Sequence, residues 1–364
     1  MEMQQYNFAI AILAMLLLGF GFLMVFVKRN GFSATTGTFL VVATVLPLYF
    51  LLRGGGILNP EPLPTDKVEM IIFAEFAAAS ALIAMGAVLG RLHVYQYIIL
   101  GALIVPFYML NEWLVTDGGL GITQGFTDTA GSVALHGFGA YFGLGLTIAI
   151  TTVKQRQVPI ESDATSDRFS MIGSMVLWIF WPSFCCAIVA PERIEMTAVN
   201  TVLALCGATL ATYIVSAIMR KGKANIADIA NASLAGGVAI GSTCDSATPT
   251  QAFVIGLLAG GLCVVGYAVI QSKLEKNLKI LDTCGVHNLH GMPGLLGGLA
   301  AIVIVPGIAK AQIVGILFTV VFALVTGLIS GFIIKLTGSK VHAYEDAEEF
   351  ELEESDEEAL ELEG

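Results

Sequence analysis

The chain has 364 residues, 56% of them hydrophobic and only 13% charged, with a mean hydropathy of +0.80. Soluble domains carry about 25% charged residues, so a water-soluble globular fold is excluded and no nucleic-acid partner is expected. The formal charge of −11 is local, since 12 of the 29 acidic residues fall between Glu345 and Glu363 without a basic one, leaving 17 acidic against 18 basic elsewhere.

The apolar runs are long and continuous, unlike the short alternations of a membrane barrel. They predict an all-α polytopic membrane protein with eleven spans, at about 6–27, 33–52, 69–91, 94–115, 129–153, 169–190, 196–219, 226–244, 249–271, 282–306 and 312–335. The eighth, which holds Asp228, Asn231 and Ser233, is the least apolar. With the N-terminus outside, 14 of the 18 Lys and Arg residues fall in cytoplasmic segments and 4 outside, as the positive-inside rule requires. The topology is therefore N-out and C-in, with a membrane domain over 1–340 and an acidic cytoplasmic tail over 341–364. That tail reads as a solvated segment, and its partner is unidentified. Glu2 and no basic residue precede the first run, so no cleaved leader is expected.

Two stretches repeat one pattern. Asp128 opens DTAGSVALHGFGAYFGLGL and Asp282 opens DTCGVHNLHGMPGLLGGL, each with Leu-His-Gly beginning seven residues on, so that His136 and His290 match. The copies lie on spans five and ten, an odd number apart, so they run in opposite directions. This is the mark of an inverted 5+5 repeat followed by a final helix. Each His lies eight residues past its Asp, about 12 Å at 1.5 Å per residue, which brings both near the middle of a core about 30 Å thick.

Intramembrane histidines are costly and point to function. If the two meet, one ring can donate N–H to the other, giving a neutral polar centre suited to a small uncharged molecule rather than a bare cation. A pair of structurally satisfied histidines is the plainer alternative. Asp128 and Asp282 read as helix caps that accept free backbone N–H groups. His287 reads as a structural hydrogen-bonding residue, and His93 and His342 give no signal. Gly139 with Gly143, and Gly294 with Gly298, form small-xxx-small pairs for close helix contact. The six cysteines show no CxxC spacing, and neither a disulfide framework nor a metal site or cofactor is expected.

The stretches DTCGVHNLHGMPGLLGG, HGFGAYFGL, NASLAGGVAIG and WPSF together resemble the ammonium transporter/Rh family, in its Rh-glycoprotein branch, over about Glu69 to Leu336. The resemblance implies a homotrimer in the plasma membrane, with one narrow apolar pore per subunit. It assigns the pore histidines to His136 and His290, and a phenylalanine gate to Phe76 and Phe184. It assigns an outer vestibule carboxylate that recruits ammonium to Glu112, in NEW. The Gly-rich loop TDGGLGITQGFT, between Glu112 and Asp128, is longer than the resemblance to animal Rh proteins leads one to expect. The function implied is an ammonia channel and not an enzyme, with ammonium losing its proton before NH3 crosses. CO2 conduction by the same pore, or sensing through the acidic tail, are the alternatives.

Overall fold

The computed structural model describes residues 2–59, 64, 66–119 and 121–352, and all regular structure among them is helical. Among the described residues, nine helices are long and apolar enough to cross a membrane: α1 (Met3–Phe26), α2 (Gly31–Gly54), α3 (Lys67–Ala87), α4 (Gln96–Thr116), α5 (Ser132–Ile150), α6 (Ala164–Cys186), α7 (Pro191–Met219), α10 (Pro249–Leu278) and α12 (Ala309–Leu336). Between α7 and α10 lie the short α8 (Ile226–Ala232) and α9 (Ala235–Ile240). Before α12 lies α11 (Met292–Ile304), entered through a π-helical turn, His287–Gly291.

The weakest of the expected spans, 226–244, is broken between α8 and α9. Its polar residues explain why. Asp228 is anchored to α7 by the Ser216 hydroxyl at 2.7 Å and by the Arg220 guanidinium at 3.1 Å. Beyond the break the chain must run tightly against its neighbours. A Cβ on Gly236 would stand 2.1 Å from the Ala204 carbonyl oxygen, and one on Gly237 would stand 2.4 Å from the Trp181 indole.

The two copies of the repeat fold alike. In each, the glycine of Asp-Thr-x-Gly adopts a left-handed conformation, with φ 75° at Gly131 and 66° at Gly285, which only glycine enters without strain. A π-helical turn follows (Ser132–Gly137 and His287–Gly291), and then a 13-residue α-helix, Phe138–Ile150 or Met292–Ile304. The helices thus begin after the glycine, and neither aspartate occupies the N-cap position. Each Asp-Thr-x-Gly segment is stitched to the end of another helical segment at its third residue: the Ala130 N–H donates to Gly241 O at 2.8 Å and the Cys284 N–H to Gly86 O at 3.1 Å.

Small residues set the distance between the arms. A Cβ on Gly294 would lie 2.3 Å from Ser132 O and one on Gly298 2.5 Å from Val133, while one on Gly139 would lie 2.6 Å from Ser80 O of α3, which packs as closely on the first arm. Arg91, 1% exposed, ties the end of α3 to the second arm. Its guanidinium donates to Thr283 Oγ1 at 3.2 Å, Thr151 Oγ1 at 2.8 Å and the Leu281 carbonyl.

The start of the acidic tail is not a solvated strand. Residues 341–350 fold back onto the body, and 353–364 lie outside the described residues. The Asp346 carboxylate accepts N–H bonds from Phe32 and Ser33, both at 2.8 Å, at the start of α2. Glu349 accepts from His93 Nδ1 at 2.8 Å and from the Val94 N–H at 3.1 Å, and His342 pairs with Glu348. Of the two histidines without a sequence signal, His93 thus helps dock the tail to the body, and His342 makes a contact within the tail itself. Backbone N–H groups at a helix start attract carboxylates, which is why this charge run is held down.

Candidate functional site

His136 and His290 are each the penultimate residue of their π-helical turns. Such turns recur at functional sites because they shift side chains out of the regular helical register. The rings meet, with Nδ1 to Nδ1 at 3.2 Å, centroids 5.3 Å apart and planes 12° from parallel. At that distance one Nδ1 carries the hydrogen and the other accepts it. Both side chains are buried, at 3% and 5% exposure.

An aromatic column continues the pair in both directions. Phe76 and Phe184 stack at 4.3 Å, 26° from parallel, and Phe184 lies 6.1 Å from the His136 ring. Trp181 stacks on His136 at 5.7 Å, and Phe20 on His290 at 6.3 Å. The column therefore runs Phe76, Phe184, His136, His290, Phe20. Trp181 and Phe20 are additions that sequence reasoning missed. WPSF placed Trp181 three residues before Phe184, one helical turn away, and this spacing was the available signal. Phe20 lies in an apolar run with no mark to set it apart.

Two small cavities flank the pair. One, on the Phe184 side, has a volume of about 10 Å³ and is lined by Ile12, Ala79, Leu177, Trp181 and His136 among others. The other, of about 20 Å³, lies on the Val286 side against Phe20, Ile83, Leu289 and His290. Each holds about one water-sized molecule. The walls are hydrocarbon apart from the imidazoles and a few polar atoms, so a passing molecule finds its hydrogen bonds mainly at the histidines.

The aspartates stand behind the arms. Asp128 accepts the Val133 and Ala134 N–H groups at 3.0 and 2.7 Å and the Ser242 hydroxyl. Asp282 accepts the Val286 and His287 N–H groups at 3.0 and 3.1 Å. Each therefore reaches past its glycine to the start of the turn that carries a histidine. His287 departs from expectation. Its Nδ1 has no hydrogen-bond partner among the described residues, and the ring instead packs edge-on to Tyr141 at 5.8 Å.

Glu112, at the end of α4, accepts the Tyr49 hydroxyl at 2.7 Å. The neighbouring Asn111 reaches the first arm, donating to Ala134 O at 3.2 Å and accepting from Thr319 Oγ1 at 3.1 Å. Trp113 is covered by the Gly-rich loop, with its indole so close to Gly119 that a Cβ there would lie 2.3 Å away.

Residues 1–360 match the model of the Ammonium Transporter Family. The chain is 36% identical to the ammonium transporter Rh type C of Rattus norvegicus, over 92% of this chain and 74% of that protein. It is 37% identical to the Rh type B transporter of Xenopus tropicalis, over 92% and 79%. Among solved structures, that of Nitrosomonas europaea Rh50, described as bearing on conduction by the Rhesus protein family of channels, matches with a TM-score of 0.95 and 63% identity, covering 99% of this chain and 96% of that one. A sensor Amt protein shares the fold at 20% identity, with a TM-score of 0.81 over 93% and 94%. The family match over nearly the whole chain, and these Rh-type relatives, make this chain a member of the Ammonium Transporter Family, on its Rh side.

Proposed function

We propose that the chain is an ammonia channel, in which ammonium gives up its proton on the outer side and NH3 crosses past His136 and His290. The observation that carries this reading is the imidazole pair set between two cavities of about 10 and 20 Å³ inside an aromatic column. Ammonia and water are both hydrides of a single heavy atom and fit such spaces. A hydrated cation does not, and a bare one would lose its hydration against hydrocarbon. A ring nitrogen that accepts and a ring N–H that donates together serve a molecule that does both. In this reading Phe76 and Phe184 form the gate above the pair, Glu112 draws ammonium to the outer mouth, and Asp128 and Asp282 hold the histidine arms in place.

The same reading takes the chain as eleven spans, N-out and C-in, assembled as a homotrimer in the plasma membrane with a pore in each subunit. The broken segment α8–α9 and the π-turn-led α11 supply the two spans beyond the nine long helices. The charge distribution and the repeated motif support this topology.

Stopped-flow pH recordings on proteoliposomes, with matched ammonia and CO2 gradients, test the reading. The ammonia signal is expected to exceed that of protein-free vesicles and to change when His136→Ala and His290→Ala are combined. CO2, with three heavy atoms, is expected to give little protein-dependent signal. An ammonia signal equal to that of empty vesicles, or one indifferent to loss of both histidines, contradicts it.

A further inference from the structure

Glu75 lies on α3, one residue before Phe76, and is 1% exposed. Its Oε2 is buried and has no hydrogen-bond partner among the described residues. A carboxyl oxygen left open inside a membrane protein is expensive, and the surroundings limit what can satisfy it. Because Glu75 is covered within a single chain, neither lipid nor a neighbouring copy can reach it. Only a small molecule inside the subunit can.

Helical register says where that molecule would sit. Ala79, Leu82, Ile83 and Gly86 of α3 line the two cavities beside the histidines. Glu75 is one turn beyond Ala79 on the same stripe, about 6 Å along the axis. It therefore extends the cavity-lining face of α3 to the level of the Phe76–Phe184 stack. α1 packs along α3, and it carries a second open acceptor, since Gln5 Oε1 is also buried without a partner. Gln5 lies seven residues, about 10 Å, from Ile12, and Ile12 lines the cavity on the Phe184 side together with Ala79. Two acceptors without donors thus stand on adjoining helices, at depths that differ by about 4 Å.

We infer that Glu75 is a substrate-contacting residue, whose free carboxyl oxygen accepts an N–H of the permeating nitrogen species beside the phenylalanine pair, before that species reaches His136. The inference rests on the ammonia-channel reading and adds a holding position outside the histidines. Ammonium and ammonia are rich in N–H donors, the group that both open acceptors lack. Glu75 accepts a hydrogen bond in this step, and no covalent bond is made or broken.

Infrared difference spectra of the full chain in proteoliposomes, recorded with ammonium chloride against sodium chloride at equal pH, test this. The carboxyl band of Glu75 is expected to shift with ammonium, and that shift is expected to vanish in Glu75→Gln. Flux supplies a second readout. Glu75→Leu, which removes the acceptor, is expected to slow ammonia entry by roughly fivefold, the scale of one net hydrogen bond. Glu75→Gln keeps a carbonyl acceptor and is expected to stay within about twofold of the parent on the same scale. A band indifferent to ammonium, a shift that persists in Glu75→Gln, or full flux in Glu75→Leu overturns the inference. The infrared comparison stands even if the leucine variant fails to fold. Absence of flux in the parent chain would instead overturn the channel reading, whereas flux with an unmoved carboxyl band defeats only the role of Glu75.

Discussion

One carboxylate at Asp128 gathers two backbone N–H groups and the Ser242 hydroxyl, and so joins the first histidine arm to the chain just after α9. Removing it leaves buried donors without an acceptor, a loss that exceeds the net worth of the bonds themselves. Asp128→Ala is expected to lower stability by about 2–4 kcal/mol, and Asp128→Asn, which keeps one acceptor oxygen, by less. Thermal unfolding in detergent measures both, and equal melting temperatures for parent and alanine variant would contradict this role. At this scale the sequence was legible where a pattern repeated. His136 and His290 stood out because the same eight-residue offset from Asp occurs twice. Glu75 did not, because a single carboxyl among alanines carries no spacing that marks it as buried or open. The free Nδ1 of His287 was equally invisible, since a histidine on an apolar arm reads as satisfied until its neighbours are known.

The helices followed the apolar runs closely, because burial in lipid leaves little choice of where a span of about 20 residues can lie. What the runs did not disclose were the distortions inside them. The π turns at Ser132–Gly137 and His287–Gly291 keep the apolar composition of the surrounding helix and change only the register. The left-handed Gly131 and Gly285 that precede them look like ordinary packing glycines in a sequence that holds 40. Packing between the arms is tight enough to test at one position. In Gly294→Ala the new Cβ would fall 2.3 Å from Ser132 O, a backbone atom that cannot swing aside. The second arm must then move away from the first, widening the separation of His290 from His136. Gly294→Ala is expected to cost about 1–3 kcal/mol, as overpacking does, and to depress ammonia flux more than the same change at Gly261, where the nearest atom to the added Cβ is Val215 Cγ2 at an ordinary 3.7 Å. Similar flux in the two variants would contradict the close-packed arms.

Over the whole molecule, the least legible feature was the docked start of the tail. A run of acidic residues reads as solvated, and the groups that hold it, the Phe32 and Ser33 N–H and the His93 ring, carry no mark in the sequence. Burial pushes the Asp346 carboxyl above the usual aspartate range, against the opposing pull of the bonds from Ser33 and Phe32. A carboxyl raised in the docked state binds its proton more tightly there than when released. Docking is therefore strongest below the ordinary aspartate pKa of about 3.9 and weakens as pH rises through the docked value. Limited proteolysis of the tail is expected to slow as pH falls from neutral into the mildly acidic range, with the dependence flattened in Asp346→Ala. Faster release in acid would reverse the sign and contradict this. The central claim is that the substrate crosses uncharged past the paired histidines. Ammonia flux and membrane current recorded together on the purified chain in proteoliposomes test it most directly. The expected result is internal alkalinisation with no accompanying current, and a current that scales with the ammonium gradient would contradict it.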